Sequence, residues 1–227
     1  MSFIVIEGLD GSGKSTQVQK ICDYYRHQGV NLEFLHFPNT SEEYFGMLIS
    51  RFLRGEFGNI EEVDTWVVAM LFAGNRWAYA NKLKKWIDDK KMVIVDRYVF
   101  SNITYQAAKL KNETEKQKLR EWIYSLEYNQ FKIPKPDINI WLDVPVSFVE
   151  SQLNKNREGG DRTYLKGVKD IHETNIDFQQ LVYNEYTTCC NLFPELIKVI
   201  CYNQNGEMLN ENTIFEKLIS TINQNLK

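Results

Sequence analysis

Five short runs of β-branched, aliphatic and aromatic residues punctuate the chain: Phe3–Glu7, Leu32–Phe37, Met92–Asp96, Ile138–Asp143 and Ile197–Tyr202. Between them lie longer segments with helical spacing. The runs are nearly continuous in their hydrophobicity, as expected of strands buried on both faces. Strands that alternate with helices predict a parallel sheet covered on both sides.

The first helix is expected to start near Lys14 and to end before Gly29. Val18, Ile21, Cys22 and Tyr25 fall at i, i+3, i+4 and i+7, which makes one apolar stripe. Gly29 suits the helix end, where a left-handed residue closes the last turn. The longest helix is expected to run from about Ile60 to Asp89. Val63, Val67, Met70, Leu71, Gly74 and Ala78 form its core stripe, and Phe72, Arg76 and Tyr79 point the other way. An aromatic ring beside an arginine suits a planar ligand, so that second face is expected to line a site. The polar segment Lys109–Lys118 reads as a solvated helix start or loop. The stretch 153–169, with its Gly159-Gly160 pair, reads as a loop.

Composition narrows the class. With 227 residues the chain is long enough for one domain, taken as residues 1–227, with a substantial core. A hydrophobic fraction of 43% and a charged fraction of 25% are ordinary for a globular protein. The formal net charge of -3 argues against a nucleic-acid partner. It leaves room for an anionic small molecule in a locally positive cleft. No run reaches the ~18 apolar residues of a membrane span, and no signal peptide is expected from the residues ahead of the first strand. The expected location is therefore cytoplasmic, away from membranes. Cys22, Cys189, Cys190 and Cys201 match no zinc spacing and read as buried or half-buried free thiols of a reducing compartment.

The strongest chemical signal is Gly8-Leu9-Asp10-Gly11-Ser12-Gly13-Lys14-Ser15, which follows a predicted strand, opens a predicted helix and runs on into Thr16. Its glycines let the backbone wrap closely and aim successive N–H groups at one anion. The helix N-terminus adds partial positive charge. Lys14 is expected to reach the outer phosphates of a nucleoside triphosphate, and the Ser15 hydroxyl to ligate Mg²⁺. Asp10 is unusual beside phosphates. It needs a cation, so it either holds Mg²⁺ or orients a neighbouring arginine, or else it is simply a turn-forming residue.

A second acid ends the third strand in Met92-Val93-Ile94-Val95-Asp96-Arg97-Tyr98. The C-terminal end of a parallel strand faces the ligand crevice of an open α/β sheet. Asp96 there is expected to assist Mg²⁺, directly or through water. The Arg97 fork suits a phosphate.

Together these runs carry a resemblance. Residues 8–16, Phe37-Pro38, Leu71-Phe72-Ala73-Gly74-Asn75-Arg76 and the segment from Asp96 to Tyr105 resemble the thymidylate kinase family, in the same order and over nearly the whole chain. The resemblance implies an α/β fold, a three-layer α/β/α P-loop domain with a five-stranded parallel sheet and a small lid at about 153–169. It also implies phosphorylation of dTMP by ATP with Mg²⁺, and a homodimer packed through helices. Phe72 would stack on thymine, while Arg76 and Asn102 would read its edge. Tyr105 would sit near the sugar 2′ position and disfavour ribose. Arg97 would hold the acceptor phosphate, helped by the turn at Phe37 and Pro38. Asn75 and Ser101 complete the implied dTMP set.

Phosphoryl transfer also needs cations closing over the moving group. The loop 8–15 contains no arginine. Lys155 to Arg162 resembles the family's lid in the version that carries arginines, so Arg157 and Arg162 are the catalytic candidates beside Asp10, Lys14 and Arg97. His172 reads as a surface or capping residue. Two alternatives compete: another nucleoside or nucleotide kinase on this scaffold, and a nucleotide-binding module without turnover. A nucleoside kinase needs a general base near the 5′-hydroxyl, which Asp96-Arg97-Tyr98 matches poorly. A GTPase base-reading motif is lacking, since Asn81-Lys82-Leu83-Lys84 has no aspartate in the required place.

Overall fold

The computed structural model describes residues 2–154, 165, 170–172 and 175–226. Five strands, β1 (Phe3–Glu7), β2 (Leu32–His36), β3 (Met92–Asp96), β4 (Ile138–Asp143) and β5 (Leu196–Ile200), form one parallel sheet in the order β2-β3-β1-β4-β5. Every residue of β1, β3 and β4 is buried, as their apolar runs require. The edge strands β2 and β5 are only partly covered, which explains their more mixed sequences. The last strand ends at Ile200, and Tyr202 pairs instead with Met208 in an isolated antiparallel bridge.

Helices cover both faces. The first, α1 (Lys14–His27), packs beneath β1, β2 and β3 and against the final helix, α9 (Glu211–Asn225). Val18, Ile21, Cys22 and Tyr25 are its buried stripe. Gly29 sits just past its end at φ 74, donating to Arg26 O at 2.9 Å. On the other side α5 (Val99–Ala107) and α8 (Ile176–Leu192) pack together, flanked by α6 (Glu113–Ser125) and by α7 (Val146–Leu153) against α8. Cys22, Cys189 and Cys201 are buried thiols and Cys190 is half-buried.

The long helix expected between Ile60 and Asp89 is instead two. Asp64 accepts from Trp66 N at 2.9 Å and Val67 N at 3.1 Å, capping α3 (Thr65–Ala78). Tyr79 then bends the chain into α4 (Ala80–Asp88). The assignment of faces is also corrected. Val68, Ala69, Phe72, Ala73 and Arg76 are buried, whereas Val67 is 55% exposed and Trp77 51%. Because α3 packs on α5 and on α2 (Phe45–Leu53), the face expected to line a site is also the face that meets the core. Of the expected stripe, Val67, Met70 and Ala78 point outward, whereas Gly74 is buried and Val63 and Leu71 are half-buried against the cluster around Phe52 and Phe72.

Candidate active site

The glycines of the phosphate loop do what their positions demand. Gly11 and Gly13 adopt φ 75 and 83, a region side chains resist. Lys14 is buried and bends back to donate to Leu9 O at 2.6 Å. Burial, and then the nearby charge of Arg97, lower its pKa to about 8, although Asp96, Asp10 and Glu7 pull the other way.

A pocket opens outside the C-terminal ends of β1 and β3, where an open α/β sheet binds ligands. It is lined by Asp10, Gly11, Lys14, Ser15, Asp96 and Arg97 together with Phe37, Pro38, Phe72, Arg76, Ser101, Asn102 and Tyr105. A second cavity of about 710 Å³ lies on the other side of the loop, lined by Gly11 to Gln17, Phe148, Gln152 and the Met208–Glu211 segment. Lys14 and Ser15 border both, so the loop stands between two binding spaces. Gly8 and Leu9 lie behind it: a Cβ on Gly8 would come within 3.1 Å of Ser12 Oγ, and Leu9 is fully buried. Gly13 and Thr16 face the second cavity.

Arg97 has φ 66, sparse territory for a side-chain-bearing residue, and is held there by its N–H to Ile6 O at 2.9 Å. Its guanidinium meets Asp10 Oδ1 at 2.6 Å, Ser101 Oγ at 3.1 Å and the Tyr105 hydroxyl at 3.3 Å. The Asp10 second oxygen accepts from Tyr105 at 2.8 Å and Gln179 at 3.2 Å. Burial opposes the Asp10 charge, but Arg97 and Lys14 outweigh it and hold the carboxyl well below its usual range.

Asp96 pairs with His36 Nδ1 through Oδ2 at 3.2 Å, its neighbour across the β2–β3 register. Its Oδ1 is buried and makes no hydrogen bond among the described residues. Burial raises its pKa, but the charges of His36, Lys14 and Arg97 lower it on balance. Asn75 stands apart from the other predicted dTMP contacts. Its amide accepts from Asn39 N at 2.8 Å and donates to Asn39 O at 2.9 Å, pinning the loop after Pro38 and turning away from the pocket lining. Arg157 and Arg162 lie outside the described residues, as does most of the segment 153–169.

A phosphate loop thus borders a pocket lined by two arginines, Arg76 and Arg97, and a family model for thymidylate kinase matches residues 6–212. The chain belongs to the thymidylate kinase family. A probable thymidylate kinase of Thermococcus kodakarensis is 31% identical over 97% of this chain and 96% of its own. The thymidylate kinase of Plasmodium falciparum is 30% identical over 81% and 79%. The fold matches a solved thymidylate kinase structure from Candida albicans with a TM-score of 0.70, over 100% of this chain and 93% of that one, at 24% identity.

For this family member the structure adds residues that sequence reading passed over. Glu7, fully buried, accepts from the backbone of Tyr98 at 3.0 Å and Ser101 at 3.2 Å and from the Ser101 hydroxyl. It thus caps α5, the helix that carries Ser101, Asn102 and Tyr105, from the strand that launches the phosphate loop. Burial pushes its pKa up. His172 is no surface residue. It is 5% exposed, lines the pocket, and stacks on Phe178 with ring centroids 5.4 Å apart. Burial, with Lys109 adding to it, takes its pKa well below the usual histidine value, so it stands neutral. Lys109 departs from its solvated segment. It folds over the Phe52 ring at 4.8 Å, and burial lowers its pKa to about 7. The rest of that segment opens α6, where Asn112 accepts from Glu115 N at 3.2 Å. Only Glu7 had a usable sequence signal, as a lone acid at the end of a buried strand.

Proposed function

We propose that this chain transfers the γ-phosphoryl group of ATP to the 5′-phosphate of dTMP, yielding dTDP and ADP. One observation carries the reading. Lys14 and Arg97 line the same pocket as Phe72, Arg76 and Asn102. A donor-phosphate cation and an acceptor-phosphate cation thus share one space with a base-reading end.

A dTMP phosphate oxygen attacks the γ-phosphorus, and the bond to the β–γ bridging oxygen breaks as ADP leaves. That nucleophile is already ionised at neutral pH, so the chemistry asks for alignment and charge stabilisation. Lys14 and the loop amides hold the triphosphate. Arg97, kept rigid by Asp10, Ser101 and Tyr105, places the acceptor. Arg157 and Arg162 are the candidates to neutralise the developing charge. The second cavity accepts the adenosine part of ATP.

The residues beside the phosphate loop suit Mg²⁺, a hard cation that takes few protein oxygens plus phosphates and water. Ser15 Oγ and the orphaned Asp96 Oδ1 are oxygen donors beside the loop, while both oxygens of Asp10 are engaged. We therefore assign the metal to Ser15 and Asp96, and give Asp10 the orientation of Arg97. When bound, Mg²⁺ supplies electrophilic charge at the phosphates. The outward row Val67, Met70 and Trp77 on α3 supports the homodimer reading, since a second copy would cover it. Four free thiols support a reducing, cytoplasmic setting.

The test is ADP release with ATP-Mg²⁺ and a panel of dTMP, dUMP, dCMP, UMP, AMP, GMP and thymidine. Strong preference for dTMP with thymidine inert is the expected result. Turnover of thymidine or of a purine monophosphate would replace this reading with another kinase. Silence with ATP still bound would point to a binding module.

A further inference from the structure

Glu127 lies at the first turn of a π-helical segment, Leu126–Gln130, that follows α6. The segment is closed by Phe131 N donating to Leu126 O at 2.8 Å, and such turns recur at functional sites. Its carboxylate is fully buried and accepts three side-chain hydrogen bonds. Arg76 gives two, from Nε at 2.5 Å and Nη2 at 2.6 Å. Asn102 gives the third, from Nδ2 at 3.1 Å. Burial opposes the charge of Arg76, but Glu127 outweighs it and raises the arginine pKa, so Arg76 remains a pure donor.

Both Glu127 oxygens accept here, from a guanidinium fork and an amide N–H, and this fixes what its two partners present elsewhere. Arg76 must turn its Nε–Nη2 edge inward. Its Nη1 makes no hydrogen bond among the described residues, and Arg76 lines the pocket. Asn102 must turn its amino group inward too, because Nδ2 lies between Glu127 Oε1 and Ala69 O at 3.0 Å, both acceptors. An amide flip would set oxygen against two oxygens, so the orientation follows from the network. Asn102 Oδ1 is left buried and without a partner among the described residues, in a side chain that also lines the pocket. Among the residues that line the pocket with Phe72, this leaves one unpaired donor, Arg76 Nη1, and one unpaired acceptor, Asn102 Oδ1.

We propose that Glu127 is a positioning residue that sets the donor–acceptor polarity of this pair and so selects a 4-keto, N3–H pyrimidine over a 4-amino one. The inference rests on the dTMP reading above and deepens it. Thymine presents an accepting O4 and a donating N3–H side by side, the complement of Nη1 and Oδ1. Cytosine presents the inverse, a donating 4-amino group and an accepting N3. Both contacts then fail, and buried polar groups are left unpaired, which is how a hydrogen-bonding site rejects a near-isostere. Uracil shares the thymine edge, so Glu127 has no part in discriminating the 5-methyl group.

The test is Glu127→Gln, which keeps size but can donate, so Asn102 is free to turn over. The expected result is a fall of about tenfold or more in the dTMP:dCMP ratio of kcat/KM, tenfold being one lost hydrogen bond's worth. KM for dTMP rises, while KM for ATP and the dTMP:dUMP ratio stay put. Glu127→Asp, still acceptor-only, is expected to keep the dTMP:dCMP ratio. An unchanged dTMP:dCMP ratio in Glu127→Gln, or a parallel fall in dTMP:dUMP, overturns the proposal as mere loosening of the pocket. If that variant does not fold, the wild-type enzyme decides with N3-methyl-dTMP. Loss of about 100-fold or more in kcat/KM is expected, and turnover equal to dTMP overturns the proposal. Wild-type enzyme that turns over dTMP with an unaltered variant ratio sinks this inference alone. Wild-type enzyme that ignores dTMP sinks the dTMP reading and this inference with it.

Discussion

Arg97 Nη2 lies 2.6 Å from Asp10 Oδ1, which ties the end of β3 to the phosphate loop after β1. The carboxylate that looked misplaced among phosphate-binding amides is the anchor of Arg97. Substituting Asp10→Asn leaves Arg97 buried without its counter-charge. Removing one partner of a buried charge pair costs about 2–5 kcal/mol, or roughly 30- to several-thousand-fold. The expected outcome is a loss of that order in kcat/KM for dTMP with a much smaller change in ATP affinity. Steady-state kinetics in both substrates, with equilibrium ATP binding, checks it. An equal loss on both sides would show Asp10 acting on the metal-triphosphate instead.

Tyr105 closes the same network. Its hydroxyl accepts from Asp10 N at 3.1 Å and donates to Asp10 Oδ2 at 2.8 Å, and its ring lies 5.1 Å from the Arg97 guanidinium. Two effects are separable. Tyr105→Phe removes the hydroxyl but keeps the ring, so KM for dTMP is expected to rise about tenfold, the worth of one buried hydrogen bond, with deoxyribose preference retained. Tyr105→Ala opens the space and is expected to admit the ribose form of the nucleotide. Comparing dTMP with ribothymidine monophosphate in both variants checks it. Unchanged deoxyribose preference in Tyr105→Ala would remove the ring from that role.

Much of this arrangement was legible in the sequence, and the reason is local. Gly8 to Thr16 and Asp96-Arg97-Tyr98 are contiguous, and strand–loop–helix order alone puts both at one end of a sheet. The helix Lys14–His27 followed from one clean stripe. The faces of α3 did not follow, because the exposed Val67, Met70 and Trp77 are as apolar as the buried Val68, Ala69 and Phe72, and periodicity cannot rank two apolar faces. Glu127, His172 and Lys109 were invisible for another reason. Glu127 and His172 meet the site's residues from far along the chain, Lys109 folds over Phe52, and only tertiary packing turns a polar residue on a helix or loop into a buried one.

Gly74 gives a stability prediction from packing alone. A Cβ there would stand 2.3 Å from Phe45 Cε1, and the next nearest atoms belong to the same ring. Phe45 opens α2, which also carries the pocket residue Leu53. Overpacking of this kind costs about 1–3 kcal/mol, and a protein of this size loses about 2–4 °C per kcal/mol. Gly74→Ala is therefore expected to melt several degrees lower and to weaken dTMP binding by displacing α2. Thermal denaturation and dTMP titration check it. A melting temperature equal to wild type would mean that α2 gives way freely.

Lys14 makes the pH dependence specific. Its pKa is lowered to about 8, first by burial and then by Arg97. Triphosphate binding needs the ammonium form, so the favourable interaction is fully present below that value and lost as pH rises through it. Bound triphosphate brings negative charge beside the amine and raises its pKa again. Because kcat/KM reports the free enzyme and kcat the complex, the two profiles are expected to separate. For ATP, kcat/KM should fall above about pH 8 with the slope of one proton, while kcat at saturating ATP holds to higher pH. Lys14→Arg stays charged throughout and should lose the falling limb, at reduced activity, because its planar fork does not reproduce a point charge. Rates across pH 6.5–10 with varied ATP decide the matter. A flat kcat/KM through pH 9.5 would mean that Lys14 stays protonated well past its lowered value, and that Asp10, Asp96 and Glu7 outweigh its burial.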